Sequence, residues 1–142
     1  MENLIMNIET VIDYIESHLD EKLDLEKVSE AVHYSKYHLH RMFTNTVGMT
    51  IHDYVQRRQL TEAAKLLIFS AKPIIEVAFL CGYESQQAFS SAFKSMYKVP
   101  PAQYRDQGNF YPLQLPFVLH KNIPSKVFTK EDVWLARTED LP

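Results

Sequence analysis

The chain has 142 residues, 46% hydrophobic and 23% charged, a balance typical of a folded globular domain rather than a disordered chain. Its three glycines and single cysteine argue against an all-β fold with many tight turns, glycine-rich nucleotide loops and an internal disulfide. The net charge of −3 is unevenly distributed: nine acidic and two basic residues give residues 1–30 a charge of −7, whereas nine basic and five acidic residues give residues 31–107 a charge of +4.

Hydrophobic periodicity predicts helices from the N-terminus to about residue 107. One stripe of a first amphipathic helix is formed by Ile5, Ile8, Ile12, Ile15 and Leu19. Asp24 can cap a short second helix, and Ser35 can cap a third helix over residues 36–47, where Gly48 suits a left-handed end. A first lobe of three helices, about residues 5–49, is therefore predicted.

A longer linker helix is predicted for residues 51–69, because Thr50 and Asp53 resemble a capping box. A second lobe, about residues 73–106, holds three predicted helices that begin near Pro73, Ser85 and Pro101. The predicted fold class is thus all-α, with about seven helices in residues 1–107. The rest, residues 108–142, is predicted to be a proline-containing extended tail, too short to bury its own core.

The two lobes contain an internal repeat. Residues 28–34 match residues 77–83 at an offset of 49, and residues 39–54 match residues 89–104 at an offset of 50. Each copy contains a short helix, a tight turn and a second helix, which is the helix-turn-helix unit. Two such copies joined by one long helix are far more specific than a single match.

The second helix of each unit presents a face without acidic residues. Opposite the inward Leu39, Met42 and Phe43, helix 36–47 presents Tyr37, His40, Arg41 and Thr44, flanked by Lys36 and His38. Helix 86–97 presents Gln87, Ser90, Ser91 and Lys94, with Gln86 at its beginning. Arginine can bind guanine and glutamine can bind adenine in the major groove, each pair discriminating by roughly 1–3 kcal/mol. We therefore predict two DNA-reading surfaces, which must both point outward and in the same direction.

Hydroxyl groups, lysines and helix N-termini suit DNA phosphates. Phosphate contacts are accordingly predicted for Ser35, Lys36, Thr44, Ser85, Lys94 and Lys98. The linker helix would be about 28 Å long at about 1.5 Å per residue. Major grooves on one side of a duplex repeat every 34 Å or so, so one chain could read two of them.

The motifs that carry a family resemblance are YSKYHLHRMF at 34–43, TEAAKLL at 61–67, GYESQQAF at 82–89 and VPPAQYR at 99–105, together with Gly48, Tyr54 and Arg58. Over about residues 5–106 the chain resembles the DNA-binding domain of AraC/XylS-type transcription regulators, especially the branch with MarA, SoxS and Rob. The resemblance implies a seven-helix, two-lobed domain that binds an asymmetric DNA site as a monomer. It places the base-reading positions at Tyr37, His40, Arg41, Gln86, Gln87, Ser90 and Ser91.

Four positions depart from that branch: Tyr37 replaces a tryptophan, His40 a glutamine, Ser91 an arginine and His33 a common glycine. The resemblance therefore does not predict which DNA sequence this protein binds. Rob-type proteins have an additional C-terminal effector-binding domain. The tail at residues 108–142 fits the beginning of such a domain, and the chain is too short to contain the whole.

Two alternatives to DNA binding fit parts of the sequence. A protein-interaction module could use the acidic N-terminal helices or the apolar segment 110–119. A zinc site, and with it a metal-dependent hydrolase, could be built from His33, His38, His40 and Cys81. However, His38 and His40 are two residues apart on a helix and point in different directions. The aromatic residues Phe69, Phe79, Phe89 and Phe93 are predicted to lie in the core.

The sequence thus predicts a transcription regulator that is not an enzyme and needs no cofactor or metal. Its partner is double-stranded DNA, and RNA polymerase is a candidate second partner; the sequence does not identify a small-molecule effector. The N-terminus is not a secretion signal, no apolar run reaches membrane-spanning length, and the lone cysteine suits a reducing compartment, so a cytoplasmic location is predicted.

Overall fold

The computed structural model describes residues 2–119, with side chains described from residue 8 onward. Within residues 2–119 the chain forms seven helices and no strand, which confirms the predicted fold class. The helices are α1 (Glu2–Ser17), α2 (Leu25–Val32), α3 (Lys36–Val47), α4 (Ile51–Phe69), α5 (Ile74–Leu80), α6 (Gln86–Tyr97) and α7 (Pro101–Gln107).

Side-chain caps begin four of these helices. The side-chain oxygens of Asp24, Ser35, Thr50 and Ser85 each accept a hydrogen bond from the backbone N–H three residues later, at 2.8, 3.1, 3.1 and 3.1 Å. Such bonds satisfy donors that the first helical turn leaves without a partner. Gly48 ends α3 in the left-handed conformation, as predicted, with φ of +90°.

Two hydrophobic cores lie along α4. The first contains Val11, Ile15, Leu39, Phe43 and Tyr54 among its buried residues. The second contains Leu67, Val77, Phe89, Phe93 and Tyr104. Helix α4 contributes to the first core up to Val55 and to the second from Leu60 onward. The linker helix is therefore a structural part of both lobes.

The internal repeat coincides with the deepest positions of both cores. Tyr54 and its equivalent Tyr104 are both fully buried. The matched pairs Leu39 and Phe89, and Phe43 and Phe93, are fully buried as well. The two lobes thus pack equivalent positions of the repeat in the same way.

The core prediction was wrong for two aromatic residues. Phe69 is 62% exposed and Phe79 is 51% exposed, whereas Phe89 and Phe93 are buried. Helix α5 has only seven residues and buries Val77 and Ala78, so the side chain that follows them turns outward. Phe69 is the last residue of α4, where its ring meets that of Phe110 edge-on with centroids 5.9 Å apart.

Candidate nucleic-acid interface

The outer face of α3 carries a compact group of polar and aromatic side chains. Tyr37 is 72% exposed, and Lys36, His38, His40 and Arg41 are also exposed. The Arg41 Nη1 atom donates to the Tyr37 hydroxyl at 3.4 Å, across one helical turn. The guanidinium and the phenol ring therefore form one continuous surface, as the sequence predicts.

The outer face of α6 is polar and short-chained. Gln86, Gln87, Ser91 and Lys94 are exposed, and Ser90 is half-buried. Helix α6 contains no acidic residue. Just before α6, the carboxylate of Glu84 lies 3.7 Å from the ammonium group of Lys22. The surface of α6 therefore presents hydrogen-bonding groups without a negative charge of its own.

The predicted phosphate contacts differ in how free their polar groups are. The hydroxyls of Ser35 and Ser85 cap α3 and α6 as acceptors, and each keeps its O–H to donate. Lys36 and Lys94 are exposed. Lys98 ends α6 with φ of +70°, and its Nζ donates to the carbonyl of Ser95 at 2.9 Å.

Thr44 departs from its predicted place on the open face of α3. It is half-buried, and its Oγ1 atom is shielded from solvent with no hydrogen-bond partner. A helical wheel treats α3 as an isolated helix. In the structure, the last turn of α3 is closed by a bond from the backbone N of Gly48 to the carbonyl of Thr44, and α4 follows at once.

An interlobe junction, formed by Leu19, Glu21, Gln59 and Gly82, was not found from the sequence. The Gln59 amide Nε2 donates to the carbonyl of Leu19 at 3.2 Å and to that of Glu21 at 2.9 Å. Gly82 lies directly against this contact: a Cβ at its position would be 2.5 Å from Gln59 Nε2 and 2.7 Å from the Glu21 oxygen. The sequence signal that could have revealed this junction is the glycine itself. The equivalent turn in the first lobe has His33, so the turn alone does not require glycine.

Residues 109–119, called the C-terminal arm below, are anchored by the two equivalent tyrosines. The Tyr104 hydroxyl accepts from the backbone N of Tyr111 at 3.1 Å. The Tyr54 hydroxyl accepts from the backbone N of Phe117 at 3.0 Å. Phe110 packs on the second core and Phe117 on the first. The arm therefore contacts both lobes, and the remainder of the predicted tail, with any effector domain, lies outside the described residues.

The middle of the arm is bonded to α4 through Gln114. Its backbone N donates to Thr61 Oγ1 at 3.1 Å. Its side-chain oxygen accepts from Arg57 Nε at 2.9 Å, and its carbonyl accepts from Arg58 Nη1 at 2.8 Å. The arm thus makes hydrogen bonds at both ends and at its centre.

The buried Arg58 side chain also forms an ionic network with two partly exposed carboxylates. Its Nη2 atom lies 2.7 Å from Glu16 and 3.2 Å from Glu62, and the Arg58 side chain is 4% exposed. Burial alone would lower the pKa of Arg58, but hydrogen bonds and attraction from the two carboxylates outweigh burial, and the pKa rises. The cation is therefore permanent and ties α1 to α4.

The two lobes make few direct helix contacts. Among the described helices, α1, α2 and α3 pack on one another, and α6 packs on α5 and α7. Helix α4 packs on α3 in the first group and more extensively on α5, α6 and α7 in the second. A cleft of about 630 Å³ separates Met49 and Asp53 on the first-lobe side from Ser95 and Lys98 on the second. The relative position of the lobes therefore depends on α4, the junction and the arm.

The residues of the zinc hypothesis are not grouped. His33, His38 and His40 are exposed, whereas Cys81 is buried and burial raises its thiol pKa to about 12. Across the described part of the chain, no set of three His, Cys, Asp or Glu residues could hold a metal ion. In the same part, no helix is both long enough and apolar enough to cross a bilayer.

Two helix-turn-helix lobes on one long helix, each with an exposed acid-free second helix, define the class of double helix-turn-helix DNA-binding domains. A family model described as a helix-turn-helix domain matches residues 28–107. The chain belongs to this family, that of the AraC/XylS regulators, as the resemblance implies.

Several known proteins are similar to this chain. The multiple antibiotic resistance protein MarA of Escherichia coli (strain K12) is 43% identical over 100 residues, which cover 70% of this chain and 79% of MarA. The right origin-binding protein of the same organism is 39% identical over 98 residues, 69% of this chain and 34% of that protein. The DNA-binding domain of AdpA, solved with a target DNA, has a TM-score of 0.67 at 26% identity, covering 70% of this chain and 90% of that one.

The protein is accordingly a sequence-specific DNA-binding transcription regulator, which confirms the main functional prediction. Its family is one of transcription regulators and not of enzymes. The comparisons give no support to the alternative of a protein-interaction module.

Proposed function

We propose that α3 and α6 enter two successive major grooves of one duplex, so that a single chain reads two short DNA boxes. The observation that carries this proposal is the pair of exposed, acid-free faces on the second helices of the two repeat units. Helix α4 has 19 residues and spans about 28 Å, comparable with the roughly 34 Å between successive major grooves. The similarity to the AdpA domain, which was solved in complex with a target DNA, supports DNA binding by this fold.

In this proposal the base-reading residues have distinct roles. Arg41 binds O6 and N7 of a guanine, and Gln86 and Gln87 bind N6 and N7 of adenines. The ring of Tyr37 packs against a thymine methyl group. His40, Ser90 and Ser91 complete the base-reading set.

The remaining contacts go to phosphates and hold the protein in register. Lys36, Lys94 and Lys98 supply ammonium groups. Ser35 and Ser85 supply hydroxyl protons at the N-termini of α3 and α6, where backbone N–H groups also attract anions. Thr44 joins this set only after its side chain rotates, because Oγ1 is buried in the present conformation.

The test is selection of bound duplexes from a random library at physiological salt. Two conserved boxes about one helical turn apart are expected. Arg41→Ala should weaken binding by about 1–3 kcal/mol and relax the preference at one base position. Lys65→Ala, a similar loss of charge at an exposed site on α4, is the control and should leave the preferred sequence unchanged. An Arg41→Ala protein with wild-type affinity and an unchanged site would contradict the assignment.

Lys94→Ala separates phosphate contacts from base contacts. It should weaken binding to all sequences alike and reduce the slope of log affinity against log salt concentration by about one. Gln87→Ala is the comparison, because it removes no charge and should act on one base position. A loss for Lys94→Ala that depends on the DNA sequence would contradict its role as a phosphate contact.

The proposal extends to cellular context. We also propose that the protein has no catalytic activity, works in the cytoplasm and contacts RNA polymerase. Exposed acidic residues on α1 and α2, such as Asp13, Glu26 and Glu30, offer a surface for that contact. In transcription in vitro from a promoter with the selected site, Glu26→Lys and Glu30→Lys together should abolish regulation while DNA affinity is retained. Unchanged regulation would exclude this surface.

A further inference from the structure

The interlobe junction joins three parts of the chain that are distant in sequence. Gln59 is 7% exposed, and its amide bonds to two carbonyls in the α1–α2 loop, at Leu19 and Glu21. Gly82, in the turn between α5 and α6, fits against both Gln59 and the Glu21 carbonyl. The turn that leads into one reading helix is therefore seated on the loop of the other lobe.

The C-terminal arm makes a second connection between the lobes. It runs from the second core at Phe110, through Gln114 at the middle of α4, to the first core at Phe117. Its hydrogen bonds to Tyr104 and Tyr54 secure the two ends. The arm therefore resists bending or twisting of one lobe relative to the other.

These two connections lie on opposite sides of α4. At 3.6 residues per turn, Arg57 and Thr61, which bond to the arm, lie about 160° and 200° around the helix from Gln59. Bending of α4 away from one connection therefore moves the lobes toward the other. A helix held on both sides in this way is much stiffer than the helix alone.

We propose that the junction and the arm fix the separation and rotation between α3 and α6, and that Gln59 and Gly82 thereby determine the spacing of the two DNA boxes. The inference rests on the proposed reading of two boxes by one chain. Neither residue touches DNA in this proposal; both are positioning residues. Their substitution should change which spacings are accepted, while each box keeps its preferred sequence.

The test is a set of duplexes in which the spacer between the two selected boxes is shortened or lengthened by one or two base pairs. One base pair rotates a box by about 35° and moves it by about 3.4 Å. The full wild-type chain should lose at least about tenfold in affinity for each one-base-pair change, as a comparable mismatch would cost. The Gln59→Leu variant keeps the bulk of the side chain but lacks both amide hydrogen bonds. For the same one-base-pair change, its affinity should fall by about threefold or less from that for its preferred spacing.

Gly82→Ala provides a second variant with well-matched controls. Gly82, Gly48 and Gly108 all have positive φ, of +83°, +90° and +74°, so alanine strains the backbone at each of them. A Cβ meets neighbouring atoms only at Gly82 among these three positions. Gly82→Ala should therefore broaden the accepted spacings, whereas Gly48→Ala and Gly108→Ala should lower stability and keep the wild-type spacing profile. Circular dichroism and melting temperatures confirm folding of each variant.

The ratio of affinities for duplexes with different spacers separates the role of the junction from the reading of two boxes by one chain. A wild-type chain that prefers one spacing, with Gln59→Leu or Gly82→Ala more tolerant, supports the inference. A sharp wild-type preference that both Gln59→Leu and Gly82→Ala retain would overturn the role of the junction and leave the two-box function intact. A wild-type chain indifferent to spacing would overturn the two-box reading itself, and the inference with it.

Discussion

The two lobes of this protein are copies of one unit, yet they differ at the turn before the reading helix. His33 in the first lobe and Gly82 in the second both have left-handed backbone, with φ of 62° and 83°. His33 is exposed, so its side chain has room. Gly82 lies against Gln59 and Glu21, where no side chain fits. The same local geometry thus accepts a histidine where the turn is free and requires glycine where it touches the other lobe.

The reading surfaces differ as well. Helix α3 offers a cation beside a large aromatic ring, Arg41 next to Tyr37, whereas α6 offers the neutral amides Gln86 and Gln87. A cation adds sequence-independent attraction to DNA, while amides contribute chiefly through base contacts. Because Lys36 in the first lobe and Lys94 and Lys98 in the second supply cations to both lobes, the lobes are expected to differ chiefly in how they read bases.

The largest expected effect is on stability, and it concerns the ion pair by which α4 holds α1 in the first lobe. Arg58→Ala should lower the free energy of unfolding by about 3–5 kcal/mol, because it leaves the partly buried carboxylate of Glu16 without its cation. Arg57→Ala is the matched control: it removes two hydrogen bonds to the arm and should cost about 1–3 kcal/mol. Urea denaturation measures both, and equal losses would show that the ionic network adds nothing specific.

A second, intermediate effect concerns alkaline pH. Burial raises the pKa of Tyr54 in the first lobe to about 12, and those of Tyr104 and Cys81 in the second lobe to about 12. Unfolded tyrosine ionises near pH 10, so between about pH 10 and 12 the unfolded state binds fewer protons and stability falls as pH rises. Each tyrosine contributes roughly 1.4 kcal/mol per pH unit in that window.

The two lobes can be compared by measuring the free energy of unfolding of tyrosine and cysteine variants at pH 9 and at pH 11. The difference between the two pH values cancels the hydrogen bond that any substitution removes. Tyr54→Phe and Tyr104→Phe should each reduce the alkaline loss by a similar amount, and Cys81→Ala combined with Tyr104→Phe should reduce it further. An alkaline loss that these variants leave unchanged would contradict burial as its cause.

The smallest expected effect concerns the turn of the first lobe. His33→Gly should stabilise the protein by a few tenths to about 1 kcal/mol, because glycine adopts left-handed backbone without strain. Thermal unfolding followed by circular dichroism measures the change, and DNA affinity should be retained. Clear destabilisation would show that the His33 side chain makes a contribution beyond filling the turn.

The sequence determined most of the local structure. Caps at Asp24, Ser35, Thr50 and Ser85, together with the 3.6-residue apolar period, predicted the helices, and the bounds of α3, α4 and α6 were as predicted. These features depend on residues within one or two helical turns of each other, so they can be read from short stretches of the sequence. The exposed faces of α3 and α6 followed for the same reason.

Tertiary structure decided how the two units are held together. The bonds from Gln59 to Leu19 and Glu21, and those from Gln114 to α4, join residues 38 to 57 positions apart, for which no periodicity exists. The burial of the Thr44 hydroxyl and the exposure of Phe69 and Phe79 likewise depend on where neighbouring elements end. The sequence alone thus determined two helices with exposed, acid-free faces, whereas their mutual placement came from packing and from hydrogen bonds between distant segments.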